Sequence, residues 1–165
     1  MIRFPEVHFD RMIKAVEAAY PDEGCGLLAG VGDLSGGFDV RRIVPSRNVT
    51  TKGTVDSFEV DPKVRFDLMR ELGEIGPGPK TDERLIGHFH SHPDHPAMPS
   101  QRDLDAAFEP EMIWVIIGVA NGKTDAVTAH VIDAATGAFR QIALRRPDGV
   151  AYAQSPDPTS KELIT

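Results

Sequence analysis

One stretch constrains this chain more than any other: G-H-F-H-S-H-P-D-H-P-A-M-P-S-Q-R-D, from Gly87 to Asp103. Arg84-Leu85-Ile86 ahead of it reads as a buried strand. If the strand continues through His92, residues two apart share a face, with Cα atoms roughly 6.5 Å apart. His90 and His92 then point the same way. Pro93 cannot donate to a ladder and should end the strand. Met98-Pro99-Ser100 has the marks of a helix start, with Ser100 as N-cap and Asp103 one turn in, so a short helix is expected over about 100–108. A loop that folds back would bring Asp103 to the two imidazoles. Two nitrogens and one carboxylate oxygen, with a fourth position open, make the donor set of a catalytic zinc site. A plainer reading stands beside it. Histidines in a strand can pack in a core or bond each other, and Ser100 with Asp103 can serve as a helix cap alone.

The rest of the chain alternates helices and strands. Phe9, Met12, Ile13, Val16, Ala19 and Tyr20 recur at helical spacing, so a helix is expected over 6–20, ended by Pro21. Cys25 to Val31 reads as a strand with Glu23 at its mouth, Gly36-Gly37 as a hairpin turn, and Phe38 to Val44 as the return strand, closed by Pro45. Residues 46–54 read as a loop and Val55 to Val60 as a short strand. Asp61-Pro62 opens a second helix faced by Val64, Leu68, Leu72 and Ile75. Gly76 to Glu83 is a connector. Met112 to Val119 is a fully apolar strand, Asn121-Gly122 a hairpin signal, and Ala126 to Ile132 and Ala138 to Leu144 further strands. The pattern predicts one α/β domain over 1–146: a curved mixed sheet with a long helix on each side. Residues 147–165, rich in proline, aspartate and serine, read as a loosely held tail whose Leu163 and Ile164 could dock on a partner.

Composition excludes several functions. The net charge of −7 argues against a nucleic-acid partner, whose phosphates require a basic face. A single cysteine, Cys25, excludes an internal disulfide. The longest apolar run, Met112 to Ala120, is short of the roughly 20 residues that span a bilayer, and no leader opens the chain. A cytoplasmic protein without membrane contact is expected.

The segment His90-Ser91-His92-Pro93, then Ser100-x-x-Asp103, together with Pro21-Asp22-Glu23-Gly24-Cys25-Gly26 upstream, resembles the JAMM (MPN+) metalloprotease signature. The resemblance spans about residues 5–133 and matches at every functional position. It implies a cytidine-deaminase-like sheet and one Zn²⁺ per chain on His90, His92 and Asp103. It also implies Glu23 as general base turned acid, and Ser100 as donor to the oxyanion. His88 is expected to pack or support rather than ligate, since a fourth protein ligand would close the site. His95 is expected exposed and Cys25 buried, with His8 and His130 unconnected to the site.

The family resemblance further implies cleavage after an extended Gly-Gly tail. About eight residues separate Asp103 from the next strand, so no long insertion is available to grip polyubiquitin. A processing peptidase for a small β-grasp, ubiquitin-like sulfur-carrier protein is the preferred expectation. In that reading residues 46–57 and 76–83 are candidate edges for gripping the tail. The alternatives are a ubiquitin-type deconjugating isopeptidase and a non-catalytic MPN-type scaffold with a structural metal. A nucleobase deaminase would need a P-C-x-x-C motif that one cysteine cannot supply. A two-histidine, one-carboxylate iron oxygenase usually sits in an all-β barrel, not in a chain with two clear helices.

Overall fold

In chain order the elements are β1 (Ile2–Arg3), α1 (Glu6–Ala19), β2 (Cys25–Asp33), β3 (Gly37–Ser46), α2 (Pro62–Glu71), β4 (Arg84–Pro93), α3 (Gln101–Asp105), β5 (Ile113–Ala120), β6 (Lys123–Ile132), β7 (Phe139–Ile142) and β8 (Leu144–Arg145). They come from a computed structural model that describes residues 1–146. The expected tail, 147–165, lies outside the described residues. The strands form one mixed sheet of order β7-β6-β5-β4-β2-β3-β1-β8. Parallel pairing joins β4 to β5 and β1 to both its neighbours, and the other pairs are antiparallel.

Ala143 alone separates β7 from β8, yet these strands are the two edges of the sheet. The sheet therefore curls until its edges meet, and the Ile2 N–H donates to the Ala143 carbonyl at that seam, 2.8 Å away. α1 fills the inside of the curl. Its apolar stripe, Phe9, Met12 and Val16, packs on Leu28, Phe89, Val115 and Ile117 from the central strands. On the outer face Leu68 and Leu72, from α2 and its end, pack on Leu27, Ala29 and Leu85. The expected mixed sheet with a helix on each side is what the chain forms.

A bulge in β4 sets the site's register. Leu28 pairs with Gly87 and Ala29 with Leu85, so Ile86 is the extra residue. Both Leu85 and Ile86 are buried, in clusters on opposite faces. Beyond the bulge the strand alternates: Phe89 and Ser91 face inward, His88, His90 and His92 outward.

Several boundaries differ from the sequence expectation, each for a local reason. Val55 to Val60 is not a strand; one isolated bridge joins Val60 to Asn48. The Asn48 side chain replaces a ladder there, donating to the Ser57 carbonyl (2.8 Å) and accepting from the Glu59 N–H (3.0 Å). β3 continues through Pro45, which pairs with Gly26. Proline is tolerated because β1 flanks β3 only at Phe38 and Asp39, leaving no neighbour for an N–H at Pro45. α2 stops before Ile75 because Gly73, at φ +72°, turns the chain out of the helix. α3 stops at Asp105, and the last expected strand divides at Ala143 into β7 and β8. Asn121 (φ 50°) and Gly122 (φ 80°) form the expected hairpin turn.

Candidate metal centre

β4 lies between β2 and β5, with His90 opposite Cys25 on one side and Ile116 on the other. His90 is consequently 0% exposed and His92 8%. After β4 the chain turns back through Pro96 to α3. The Ser100 hydroxyl accepts from the Asp103 N–H (3.1 Å), and Asp103 Oδ2 accepts from the Ser100 N–H (2.6 Å) and hydroxyl (2.8 Å). This complete capping box fixes the Asp103 carboxylate at the first turn, pointing at β4.

Three donor side chains converge there. His90 Nε2 lies 3.0 Å from Asp103 Oδ1, His92 Nε2 lies 3.4 Å from Oδ2, and the two ring nitrogens are 3.1 Å apart. The Pro96 carbonyl, 3.0 Å from His92 Nδ1, can only accept, so the proton sits on Nδ1 and the Nε2 lone pair faces the cluster. The ring nitrogens are 3.1 Å apart and each lies 3.0–3.4 Å from a different oxygen of the same carboxylate, spacings close to the edge of a tetrahedron with corners about 2.0 Å from its centre. The donor set therefore fits a divalent cation. Among the described residues this is the group of histidine and carboxylate side chains that gathers closely enough to hold one.

Electrostatics agree with a site built for positive charge. Burial acts to raise the Asp103 carboxyl, but hydrogen bonds from His90, His92 and Ser100 outweigh it and hold it well below the usual carboxylate range. Burial pushes His90 down, favouring the neutral ring that a metal requires. Burial also acts to lower His92, but Asp103 reverses this and raises it.

Glu23, 5% exposed, stands just before β2. Its N–H donates to the Thr54 carbonyl (2.7 Å), and its carbonyl accepts from Asn48 Nδ2 (3.1 Å). The next residue is tied to the metal strand: the Gly24 N–H donates to Ser91 Oγ (2.8 Å), and the Ser91 N–H to the Gly24 carbonyl (2.9 Å). A side chain at Gly24 would come within 2.8 Å of the Val16 backbone in α1, so only glycine allows this approach. Burial pushes the Glu23 carboxyl up to about 8, with His92 opposing and Asp103 adding. Glu23 and Asp103 line one cleft of 390 Å³, with Ser57, Phe58, Ser100 and Arg102. Arg102 and Asp56 pair across its mouth at 2.9 Å.

The structure thus brings Glu23, His90, His92, Ser100 and Asp103 together. The Ser100 hydroxyl is spent on the capping box, so of its two expected uses the cap is the one seen. His88 stands apart from the donor cluster, its ring packed edge-to-face on Trp114 at 4.1 Å. Cys25 is buried, its thiol 3.8–3.9 Å from the carbonyls of Ser46, Arg47 and Glu59. His95 is exposed and lines a neighbouring cavity with Glu23 and His92.

His130 has no bond to the site; it bonds Thr128 Oγ1 (2.9 Å), which donates to the Ala97 carbonyl (2.7 Å), one residue past the Pro96 whose carbonyl holds His92. One expectation for the site fails. The connector 76–83 joins the far end of β4, about 25 Å of strand from His92, and is no wall of the cleft. Sequence reasoning also missed Ser91 and Asn48. For Ser91 a signal existed: period-two alternation puts its hydroxyl on the apolar inner face, where a buried polar group needs a partner.

The family model described as prokaryotic homologs of the JAB domain matches residues 5–130. A desampylase from Haloferax volcanii is 29% identical over 110 residues, 67% of this chain and 69% of that protein. A CysO-cysteine peptidase from Mycobacterium tuberculosis is 27% identical over 106 residues, 64% of this chain and 65% of that protein. The chain thus spans about two thirds of each relative's length. A protein from Desulfitobacterium hafniense, solved in solution, superposes with TM-score 0.73 at 25% identity, covering 88% of this chain and 92% of that one. A JAB1/MPN domain protein from Archaeoglobus fulgidus, 16% identical, shares the fold with TM-score 0.53 over 87% of this chain and 97% of its own.

Proposed function

The chain belongs to the prokaryotic JAB-domain family, and from that premise we propose that it is a zinc-dependent peptidase. Its substrate is an amide bond after the Gly-Gly tail of a small ubiquitin-like or sulfur-carrier protein. One observation carries the reading: two ring nitrogens 3.1 Å apart meet the two oxygens of one carboxylate at 3.0 and 3.4 Å, beside a cleft that also holds a buried glutamate.

His90, His92 and Asp103 are the residues that would hold Zn²⁺. Bound there, Zn²⁺ supplies Lewis acidity toward the scissile carbonyl and a water whose pKa falls towards about 7. Glu23 handles the proton. Burial raises its carboxyl to about 8 in the metal-free protein, and a bound cation would draw it back down, leaving a carboxylate able to take a proton from the attacking water and return it to the leaving amine. Ser100 holds Asp103 in place, and its hydroxyl lies at the cleft wall. Turned from Asp103 Oδ2 into the cleft, that hydroxyl would donate to the developing oxyanion, a contact typically worth about 3 kcal/mol. The segment that includes Thr50, Asp56, Ser57 and Phe58 walls the cleft opposite α3, where an extended tail would lie. Similarity to a CysO-cysteine peptidase supports the version in which the released residue is cysteine.

The test is an intact-mass assay. Zinc-loaded protein is incubated with β-grasp carriers bearing residues beyond Gly-Gly, and separately with isopeptide-linked conjugates. Loss of the extra residues, blocked by a chelator and by Glu23→Gln, is expected. Glu23→Gln should slow turnover by about 10²–10⁴-fold with zinc retained. Cleavage of isopeptides alone would move the substrate to ubiquitin-type conjugates. No mass change in any substrate would overturn the peptidase reading in favour of a scaffold.

A further inference from the structure

The two histidines of the cluster are anchored differently. His92 is fixed from behind, because its Nδ1 donates to the Pro96 carbonyl. His90 has no such anchor: its Nδ1 is buried and has no hydrogen-bond partner among the described residues. A histidine ligand normally has its outer nitrogen bonded, which sets tautomer and ring plane. The outer torsion of histidine is otherwise broad and roughly two-fold. A swing about that torsion would carry Nε2 away from Asp103.

Aromatic rings surround His90 instead. Phe58 lies nearly parallel to it, with centroids 4.2 Å apart and planes at 14°. Trp114 meets it edge-on at 5.8 Å and 86°. The Phe58 ring thus covers one face of the imidazole, while Trp114 limits rotation from the side. Trp114 belongs to β5, but Phe58 belongs to the irregular segment between β3 and α2, held by the Asn48 hydrogen bonds. Phe58 is also half-buried, forming a wall of the cleft and of the apolar cavity beside it, so the core does not depend on it.

We propose that Phe58 is a positioning residue for the metal centre: by stacking on His90 it holds the imidazole plane, the task that a hydrogen bond performs for His92. This rests on the reading that His90, His92 and Asp103 hold a divalent cation. A loop side chain far from the ligand motif in sequence thereby sets cation affinity without touching the cation.

The experiment uses the full chain, stripped of metal, and titrates Zn²⁺ in competition with a chromophoric chelator. Co²⁺ replaces Zn²⁺ in a parallel set to report ligand geometry through its visible bands. Wild type is expected to take one Zn²⁺ per chain. Phe58→Leu keeps an apolar wall but removes the ring; it is expected to weaken Zn²⁺ binding by about 10–100-fold and to shift the Co²⁺ bands. The melting temperature of the metal-free protein should stay close to that of wild type. Phe58→Tyr restores the ring and should restore both readouts. Wild-type affinity and an unshifted Co²⁺ spectrum in Phe58→Leu would overturn the proposal and leave the metal centre standing. Equal loss in Phe58→Tyr and Phe58→Leu would overturn it too, since the ring would then be irrelevant. If wild type itself bound no cation, the metal-centre reading would fall and this inference with it.

Discussion

β4 presents two unlike faces. Inward, Phe89 is 0% exposed among aliphatic residues that α1 and the sheet close off. Outward, the same strand offers His88, His90 and His92, packed by rings and by a single carboxylate rather than by an apolar core. The inner face is held by the hydrophobic effect, which is non-directional and tolerates small shifts. Its partner is held by a few directional contacts, each of which fixes an atom to within tenths of an ångström. Fold and site can therefore be damaged separately, although both are written into ten consecutive residues.

The largest expected effect lies on the inner face. Phe89→Ala should cost about 3–5 kcal/mol of stability, read by urea unfolding. The fraction that stays folded should still take up one Zn²⁺. A loss below about 1 kcal/mol would mean that the core does not centre on this strand. Next comes the residue that links the faces. Ser91→Ala orphans the buried Gly24 N–H, which should cost about 1–3 kcal/mol. Because Gly24 adjoins Glu23, turnover should fall more than zinc affinity does. Equal falls in both would break the assignment of Ser91 to the Glu23 side.

Acid tests the outer face as a whole. Burial pushes His88 down to about 3 and His130 to about 4, against 6.5 for a free imidazole. Below pH 6.5 the unfolded chain takes up these protons first, so their stabilising contribution is complete above that pH and is lost as pH falls towards 4. The melting temperature of the metal-free protein should drop across this window, and His130→Gln should flatten the slope. The smallest effect concerns Cys25, whose thiol burial pushes up to about 12. Native protein at pH 7.5 should resist thiol reagents until denaturant is added; rapid labelling would mean that the outer face of β2 is open.

The legible part of this molecule was its local part. Period-two alternation placed His90 and His92 on one face, and the helix-start pattern put Asp103 one turn past Ser100. Assembly of the ligands with Glu23 came from the family resemblance, because nothing local joins residue 23 to residue 91. What stayed hidden depends on contacts between distant segments. Asn48 bonds at once to Glu23, Ser57 and Glu59, which makes a pinned loop where propensity suggested a strand. His130 bonds Thr128, which donates to the Ala97 carbonyl in the loop after β4, a chain of contacts that no spacing rule describes. Nor does a motif reveal the aromatic ring of Phe58, because its partner is 32 positions away and any large side chain would read as core.

The seam at Ala143 bears on how this protein behaves in a crowd. Free ladder edges are where chains recruit copies of themselves into fibrils. Here the outermost strands have four and two residues, and they follow one another end to end through Ala143. With outermost strands this short, the free edge that remains is the stretch of β3 beyond Asp39, which Pro45 interrupts as a template for self-association.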